Sequence, residues 1–331
     1  MILQFFVPLF WATLITLFIT PFSIKVARRF QLVDHPNSAP HKIHLYPVPK
    51  GGGIAIAIVV FSLAYSNSEF QSQDVLAILF ASVIILVFGV WDDIQGLSAS
   101  WKLIGQILAA VVLIRQGIYI QMFGHPIPNI VITLFWITGI TNAFNLVDSM
   151  DGLAVGLAAI ASTFFLFVTI DAAQLHLTYV SAILLGSCIG IFYYNTTPAR
   201  TFLGDSGAQF LGFMLATLAM AYTPPGLPQP SSWFVPILLL GVPIFDTTLV
   251  VISRLKRGAP IYKAGQDHVY HQLIRLGMSS ARAVTTMHVA ALLIGCLAFI
   301  ALPLPPLQAN ILFGLAVLCG LIALIILQKK K

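Results

Sequence analysis

At 331 residues, with 58% of side chains apolar and only 8% charged, the chain falls outside the soluble globular class, in which charged residues make up about a quarter. Its three cysteines, Cys188, Cys296 and Cys319, lie at unrelated spacing inside apolar runs, which excludes a disulfide framework and a zinc-binding pattern. The net charge of +6 is distributed as membrane topology requires and gives no reason to expect nucleic-acid binding.

Apolar runs long enough to cross a hydrocarbon layer, roughly 17 to 25 residues each, fall near residues 3–24, 52–67, 74–91, 101–117, 129–145, 152–172, 176–194, 206–223, 233–252, 285–303 and 309–328. The fold class predicted is all-α, a single polytopic transmembrane helix bundle over residues 1–331 with about eleven spans. Ten is the alternative count, because the second and fourth runs are the weakest. The first run has no basic leader and no small-residue cleavage site, and "KVARR" follows it, so it is read as a retained helix with its N-terminus outside. Alternation from there puts sixteen of the seventeen Lys and Arg inside, with only Arg115 near the outer face, and makes the C-terminus cytoplasmic. No internal repeat or second domain is visible.

The outer connections, such as "DAAQL" and "TPPGLPQPSS", read as tight turns, and "GIYIQMFGHPIPN" (117–129) alternates enough to predict a short hairpin. The inner connections, residues 25–51, 92–101, 145–152, 195–205 and 253–284, carry almost every unusual polar residue. Asp92, Asp93, Asp148, Asp151, Asp205 and Asp267 all fall on that face, while Asp246 lies inside the ninth run. Any one of them could be a solvated loop acid. Six together favour a hard divalent cation such as Mg²⁺, which takes oxygen ligands and keeps waters and substrate phosphates in its shell.

"NAFNLVDSMDGLA" spaces Asn142, Asn145, Asp148 and Asp151 at steps of three, so that consecutive members meet on a helix surface; capping by Asn and Asp is the competing reading. In "ARTFLGDSGAQFLGF", Asp205 is either a helix N-cap or part of a phosphate site at a helix N-terminus, with Arg200 five residues earlier. The longest inner loop carries Arg254, Lys256, Arg257, Lys263 and Arg275, a charge pattern that anionic lipids alone would explain. His268 and His271, beside Asp267 and Tyr270, fit phosphate or sugar contacts better than zinc ligation. "HKIHLYPVPKGGGIAI" brings His41, Lys42, His44 and Lys50 to the second run, whose three glycines also suit close helix packing. His125, His176 and His288 read as surface or packing residues, and Asp246 as one member of a structural pair with an inner-face Arg or Asn. Adjacent residues on a helix point about 100° apart, so Asp92 and Asp93 are expected to do different jobs: one meets a substrate phosphate, the other holds the metal site or Lys102.

Cations for phosphates and carboxylates for a metal, on one face of a bilayer-embedded body, predict phosphoryl transfer between a soluble phosphate compound and a lipid. A cation-coupled transporter is the rival class, but it would place its site near the midplane on broken helices with repeat symmetry. An intramembrane aspartyl protease needs two facing acids within spans, whereas these acids end spans.

The ordered stretches "HLYPVPKGGGIAI", "WDDIQGLSASWK", "NAFNLVDSMDGLA", "ARTFLGDSGAQFLGF", "PIFDTT" and the His-containing inner loop resemble the polyprenyl-phosphate N-acetylhexosamine-1-phosphate transferases and, more distantly, the phospho-MurNAc-pentapeptide translocases. The resemblance implies that a polyprenyl phosphate attacks the β-phosphorus of a UDP-sugar in the bacterial plasma membrane, releasing UMP into the cytoplasm and starting a lipid-linked envelope glycan. It implies Mg²⁺, with Mn²⁺ an admissible substitute, at Asp205 and Asn145. Asp92, Asp93 and Asp205 are then the catalytic carboxylates, with one of the acid pair deprotonating the lipid phosphate. Lys42, Lys50, Lys102, Asn142, Asp148, Asp151, Arg200, Arg254, Arg257, His268 and His271 are the expected substrate contacts. The partners implied are the lipid and the UDP-sugar, with a homodimer among the open assembly states. The family's His-x-His-His stands here as "HVYH", with Tyr270 in place of the middle histidine. That departure bears on the sugar more than on the reaction; GlcNAc is the first expectation, and another N-acetylhexosamine such as a 6-deoxy sugar the alternative.

Overall fold

The computed structural model describes residues 3–36, 46–67, 72–225, 232–260 and 265–329. In chain order these form α1 (Leu3–Arg29), β1 (Val33–Asp34), β2 (Val48–Pro49), α2 (Gly52–Ser66), α3 (Gln73–Gln95), α4 (Ala99–Arg115), α5 (Pro126–Val147), α6 (Leu153–Asp171), α7 (Leu175–Asn195), α8 (Gly204–Ala221), α9 (Phe234–Leu239), α10 (Gly241–Lys256), α11 (Val269–Arg275), α12 (Ser280–Ala301) and α13 (Pro306–Lys329). Among the described residues the fold is all-α apart from the antiparallel β1–β2 pair. Among the described residues, seven helices, α1, α3, α5, α6, α7, α12 and α13, are long and apolar enough to cross a membrane. The other predicted runs also fold as helices, but they are shorter or carry more polar residues.

One helix organises the rest. Every α8 residue from Ser206 to Met220 is buried, as a helix apolar on all sides must be in the middle of a bundle. It packs against α3, α5 and α2. At Gly53 and Gly207 the backbones of α2 and α8 come so close that a Cβ on Gly53 would lie 2.3 Å from the Gly207 Cα. The glycines of "GGG" therefore serve close helix packing, as expected. α13 lies at the other extreme, with none of its apolar window buried, and its Leu307, Ile311, Leu315 and Ile326 point outward. Apolar side chains on that surface suit lipid contact.

Two expectations are corrected. The ninth run is not one helix, because α9 and α10 break at Leu240. Pro243 has no N–H to give the Leu239 carbonyl, so the ladder loses a bond where the break occurs. The hairpin expected over 117–129 is absent too. The Asn129 side chain holds that segment instead, accepting from Met122 N at 3.1 Å and Phe123 N at 2.8 Å and donating to the Phe123 carbonyl at 2.9 Å. A side-chain amide thus supplies the bonds a second strand would have made.

Candidate active site

The C-terminal ends of α3 and α5 and the N-terminal ends of α4 and α8 converge. At the end of α3, Asp92 and Asp93 diverge as helix geometry demands. The Asp92 carboxylate accepts from Leu97 N at 2.7 Å, just past the helix end, and its other oxygen ion-pairs with Lys102 of α4. Lys102 Nζ also reaches Asp205 Oδ1 at 3.0 Å. Asn145, on the last turns of α5, donates Nδ2 to the same Asp205 oxygen at 2.8 Å. Four helices thereby meet on one carboxylate–ammonium–carboxylate chain.

Asp93 faces the other way and has a different role. Its two oxygens accept from the backbone N–H groups of Asp205 at 2.9 Å and Ser206 at 3.0 Å, and Lys50 Nζ lies 3.3 Å from Oδ1. The first turn of α8 is therefore already capped by a carboxylate from another helix, which is what its exposed N–H dipoles favour. This corrects both readings of the "FLGDSG" stretch: Asp205 is not the cap of its own helix, and the helix start is not open to a substrate phosphate. Gly204 makes the arrangement possible, since at φ +73° it adopts the left-handed region, and a Cβ there would sit 2.6 Å from Asp93 Oδ2. The 197–204 segment is tied to the start of α2 as well, with Phe202 N donating to Pro49 O at 2.9 Å and Gly52 N to Phe202 O at 2.9 Å. Lys50 is thus carried to Asp93 by backbone pairing. Burial opposes its charge, but Asp93 and Asp205 outweigh that and hold its pKa above the ordinary lysine value.

The Asn–Asp ladder is only partly helical, because α5 ends at Val147 and Asp148 caps it. Burial, reinforced by Asp205 and Asp93, pushes the Asp148 carboxyl up to about 8. Asp151 turns away and accepts from Ala199 N at 3.2 Å, so it fixes the 197–204 segment. Asn142 points into the bundle, where it bonds Gln106. Arg200 is exposed and stacks over Tyr193 at 5.0 Å and Tyr194 at 5.9 Å, apart from the acid chain.

A second cluster is built on α10 and α11. Asp246 is fully buried; its Oδ2 lies 2.7 Å from His268 Nδ1 and its Oδ1 accepts from Val269 N at 2.7 Å. The predicted structural pair is real, but its partner is a histidine rather than an arginine or asparagine. Asp267 gathers Arg257 Nη2 at 2.5 Å, Arg254 Nε at 3.5 Å and Ser253 Oγ at 3.1 Å, so two of the three expected substrate-binding arginines clamp the loop. Tyr270 stacks on His268 with rings 16° apart and packs on His271 at 4.1 Å between centroids. Its hydroxyl is buried with no hydrogen-bond partner among the described residues. His125 caps α5, and His288 reaches the Leu153 carbonyl at 3.2 Å, both in packing roles. Lys42, His41, His44 and Lys263 lie outside the described residues.

Among the described residues no three His, Cys, Asp or Glu side chains form a preformed metal cage. The donor set at Asp205 nevertheless fits Mg²⁺. A carboxylate and an amide share one point, with Asp92 and Asp148 nearby, and Mg²⁺ needs only one or two protein ligands when substrate phosphates complete its shell. Asn145 would present its amide oxygen in place of Nδ2, a rotation the side chain allows.

Sequence reasoning missed Gln106, Gln209, Asn195 and Thr201. Asn195 accepts from Gly152 N at 3.1 Å and donates to the Thr201 carbonyl at 3.0 Å. Thr201 donates to the Pro49 carbonyl at 2.8 Å. A signal existed for the glutamines: each is a lone polar residue in an apolar run, four positions after Lys102 or Asp205.

A helical membrane body with acids, a lysine and amides gathered at one end has the architecture of a membrane-embedded transferase acting on phosphorylated substrates. The profile of glycosyl transferase family 4 matches residues 75–223, which run from α3 to just past α8 and include Asp92, Lys102, Asn145 and Asp205. A probable undecaprenyl-phosphate N-acetylglucosaminyl 1-phosphate transferase of Bacillus subtilis is 32% identical, with 83% of this chain and 78% of that one aligned. A decaprenyl-phosphate N-acetylglucosaminephosphotransferase of Mycobacterium leprae is 29% identical over 97% and 89%, and a phospho-N-acetylmuramoyl-pentapeptide-transferase of Streptococcus pneumoniae 30% over 78% and 85%. The chain belongs to glycosyl transferase family 4, among the polyprenyl-phosphate N-acetylhexosamine-1-phosphate transferases.

Proposed function

We propose that this protein transfers GlcNAc-1-phosphate from UDP-GlcNAc to a polyprenyl phosphate, releasing UMP. A lipid-phosphate oxygen forms a bond to the β-phosphorus, the bond from that phosphorus to the bridging oxygen breaks, and UMP leaves with the electron pair. The observation that carries this reading is the convergence of Asp92, Lys102, Asn145 and Asp205 at one point. The names of the relatives supply the sugar and the lipid. Asp92 is the better placed of the acid pair to take a proton from the lipid phosphate, because Asp93 is committed to the start of α8. Lys102 holds the incoming phosphate beside the acids once substrate displaces its contact with Asp205, and Lys50 adds a second positive charge. Bound at Asp205 and Asn145, Mg²⁺ would neutralise diphosphate charge, the main requirement of phosphoryl transfer. The His268–Tyr270–His271 stack, with Asp148, lines the nucleotide-sugar side.

The finer topology belongs to the same proposal: eleven crossings, the ninth broken, with the N-terminus outside and the site and C-terminus in the cytoplasm. A broken helix with a buried acid is also what a cation-coupled transporter would have. Both Asp246 oxygens, however, are occupied by His268 and Val269, which leaves no open ion site there.

Purified protein given Mg²⁺, a polyprenyl phosphate and radiolabelled UDP-GlcNAc is expected to yield a labelled lipid and UMP, and EDTA is expected to stop both. If no member of a UDP-sugar panel gives UMP, the proposal fails. Product from another UDP-N-acetylhexosamine but not UDP-GlcNAc would change the sugar alone.

A further inference from the structure

Three helices each bring one functional group to the site: Lys102 from α4, Asn145 from α5 and Asp205 from α8. Each also carries an amide one turn deeper in the bundle, at Gln106, Asn142 and Gln209. With a rise of 1.5 Å per residue, offsets of three or four positions put this second layer about 4.5 to 6 Å below the first. The deeper amides bond one another. Asn142 Nδ2 donates to Gln106 Oε1 at 2.8 Å, and Gln106 Nε2 donates to Asn142 Oδ1 and to Gln209 Oε1, each at 3.3 Å. Asn142 is tied to its own helix through the Thr138 carbonyl at 2.8 Å. Gln106 is fully buried and Gln209 nearly so.

Resting on the transferase reading above, we infer that Gln106, Asn142 and Gln209 are positioning residues that set the register of α4, α5 and α8. In doing so they fix the distances among Lys102, Asn145 and Asp205. Apolar side chains between helices tolerate a small slide, because dispersion is not directional. Three planar amides do not, because each bond weakens steeply as its angle and length depart from ideal. The upper layer depends on that rigidity: Lys102 and Asn145 reach one oxygen of Asp205 at 3.0 and 2.8 Å, and a slide of about 1 Å would break both contacts. None of the three amides bonds the upper-layer residues directly, so their influence runs through the helices.

The Gln209 Nε2 has no hydrogen-bond partner among the described residues, which makes Gln209→Met an informative variant. It deletes the acceptor for Gln106 and also a buried unsatisfied donor, so its thermal unfolding midpoint should stay near that of the wild type. The triple variant Gln106→Met, Asn142→Leu, Gln209→Met removes the whole layer, and with no partner left orphaned it should also remain folded. Two readouts apply to both: UMP release, and acylation of Lys102 by acetic anhydride without substrate, mapped by mass spectrometry against the exposed Lys25. Gln209→Met is expected to lower kcat roughly tenfold and the triple variant on the order of 100-fold. Lys102 acylation should rise several-fold relative to Lys25 in both. Wild-type turnover in the folded triple variant, or lowered turnover with Lys102 protection unchanged, would overturn the inference; if the triple variant does not fold, Gln209→Met decides alone by the same two criteria. If the transferase reading were wrong instead, wild-type protein would release no UMP, while the acylation difference would still be measurable.

Discussion

Asp93 and Asp246 do the same physical thing at two places. Each is a buried carboxylate on one helix that accepts backbone N–H at the start of another, two groups for Asp93 and one for Asp246, and pairs with a basic side chain, Lys50 in one case and His268 in the other. What they hold differs. Asp93 caps α8, which is 18 residues long, buried along its length, and carries Asp205. Asp246 caps α11, which has 7 residues and carries the Tyr270–His271 pair. The Asp93 carboxylate fixes an element buried on all sides. Asp246 secures a short helix that follows the Asp267 clamp and packs against α12. The first arrangement suits the reacting phosphates, and the second suits recognition of a nucleotide sugar.

Removing the chemistry from the helix that Asp93 holds should have the largest effect. Asp205→Ala is expected to lower UMP release by on the order of 1,000-fold while the protein still purifies folded; normal activity would remove Asp205 from the mechanism. The two caps should then separate kinetically. Asp93→Ala is expected to cut kcat on the order of 100-fold and to lower unfolding stability by about 1 to 2 kcal/mol. Asp246→Ala is expected to raise KM for the UDP-sugar roughly tenfold with a smaller change in kcat. Steady-state kinetics on the two variants checks this, and identical profiles would erase the contrast.

Packing comes next. Gly53→Ala should force α2 and α8 apart and cost about 1 to 3 kcal/mol in a denaturation experiment, because the new Cβ meets the Gly207 backbone rather than a side chain that can move. A pH dependence is expected at Asp148. Its folded pKa of about 8 stands above the unfolded 3.8, so the folded state retains a proton that the unfolded chain releases. Stability should therefore fall as pH rises between those values and level off beyond them. Asp148→Asn has no proton to lose, so its unfolding midpoint should match the wild type in acid and exceed it above about pH 8.

The sequence by itself determined the helical membrane class, the helix positions and the gathering of acids at one end. Those features follow from apolar run length and the cost of charge in hydrocarbon, both readable along the chain. It also determined that Asp92 and Asp93 diverge, because 100° per residue is a local property. The tertiary structure decided the partners: Asp93 with the start of α8, Asp92 with Lys102, Asp246 with His268, and Arg254 and Arg257 with Asp267. It also decided the break at Leu240 and the use of Asn129 in place of a hairpin. Gln106 and Gln209 passed unnoticed because a single glutamine in an apolar run says nothing until the facing helix shows its own amide. Which donor meets which acceptor depends on how helices far apart in sequence pack in register, and no single stretch of chain encodes that.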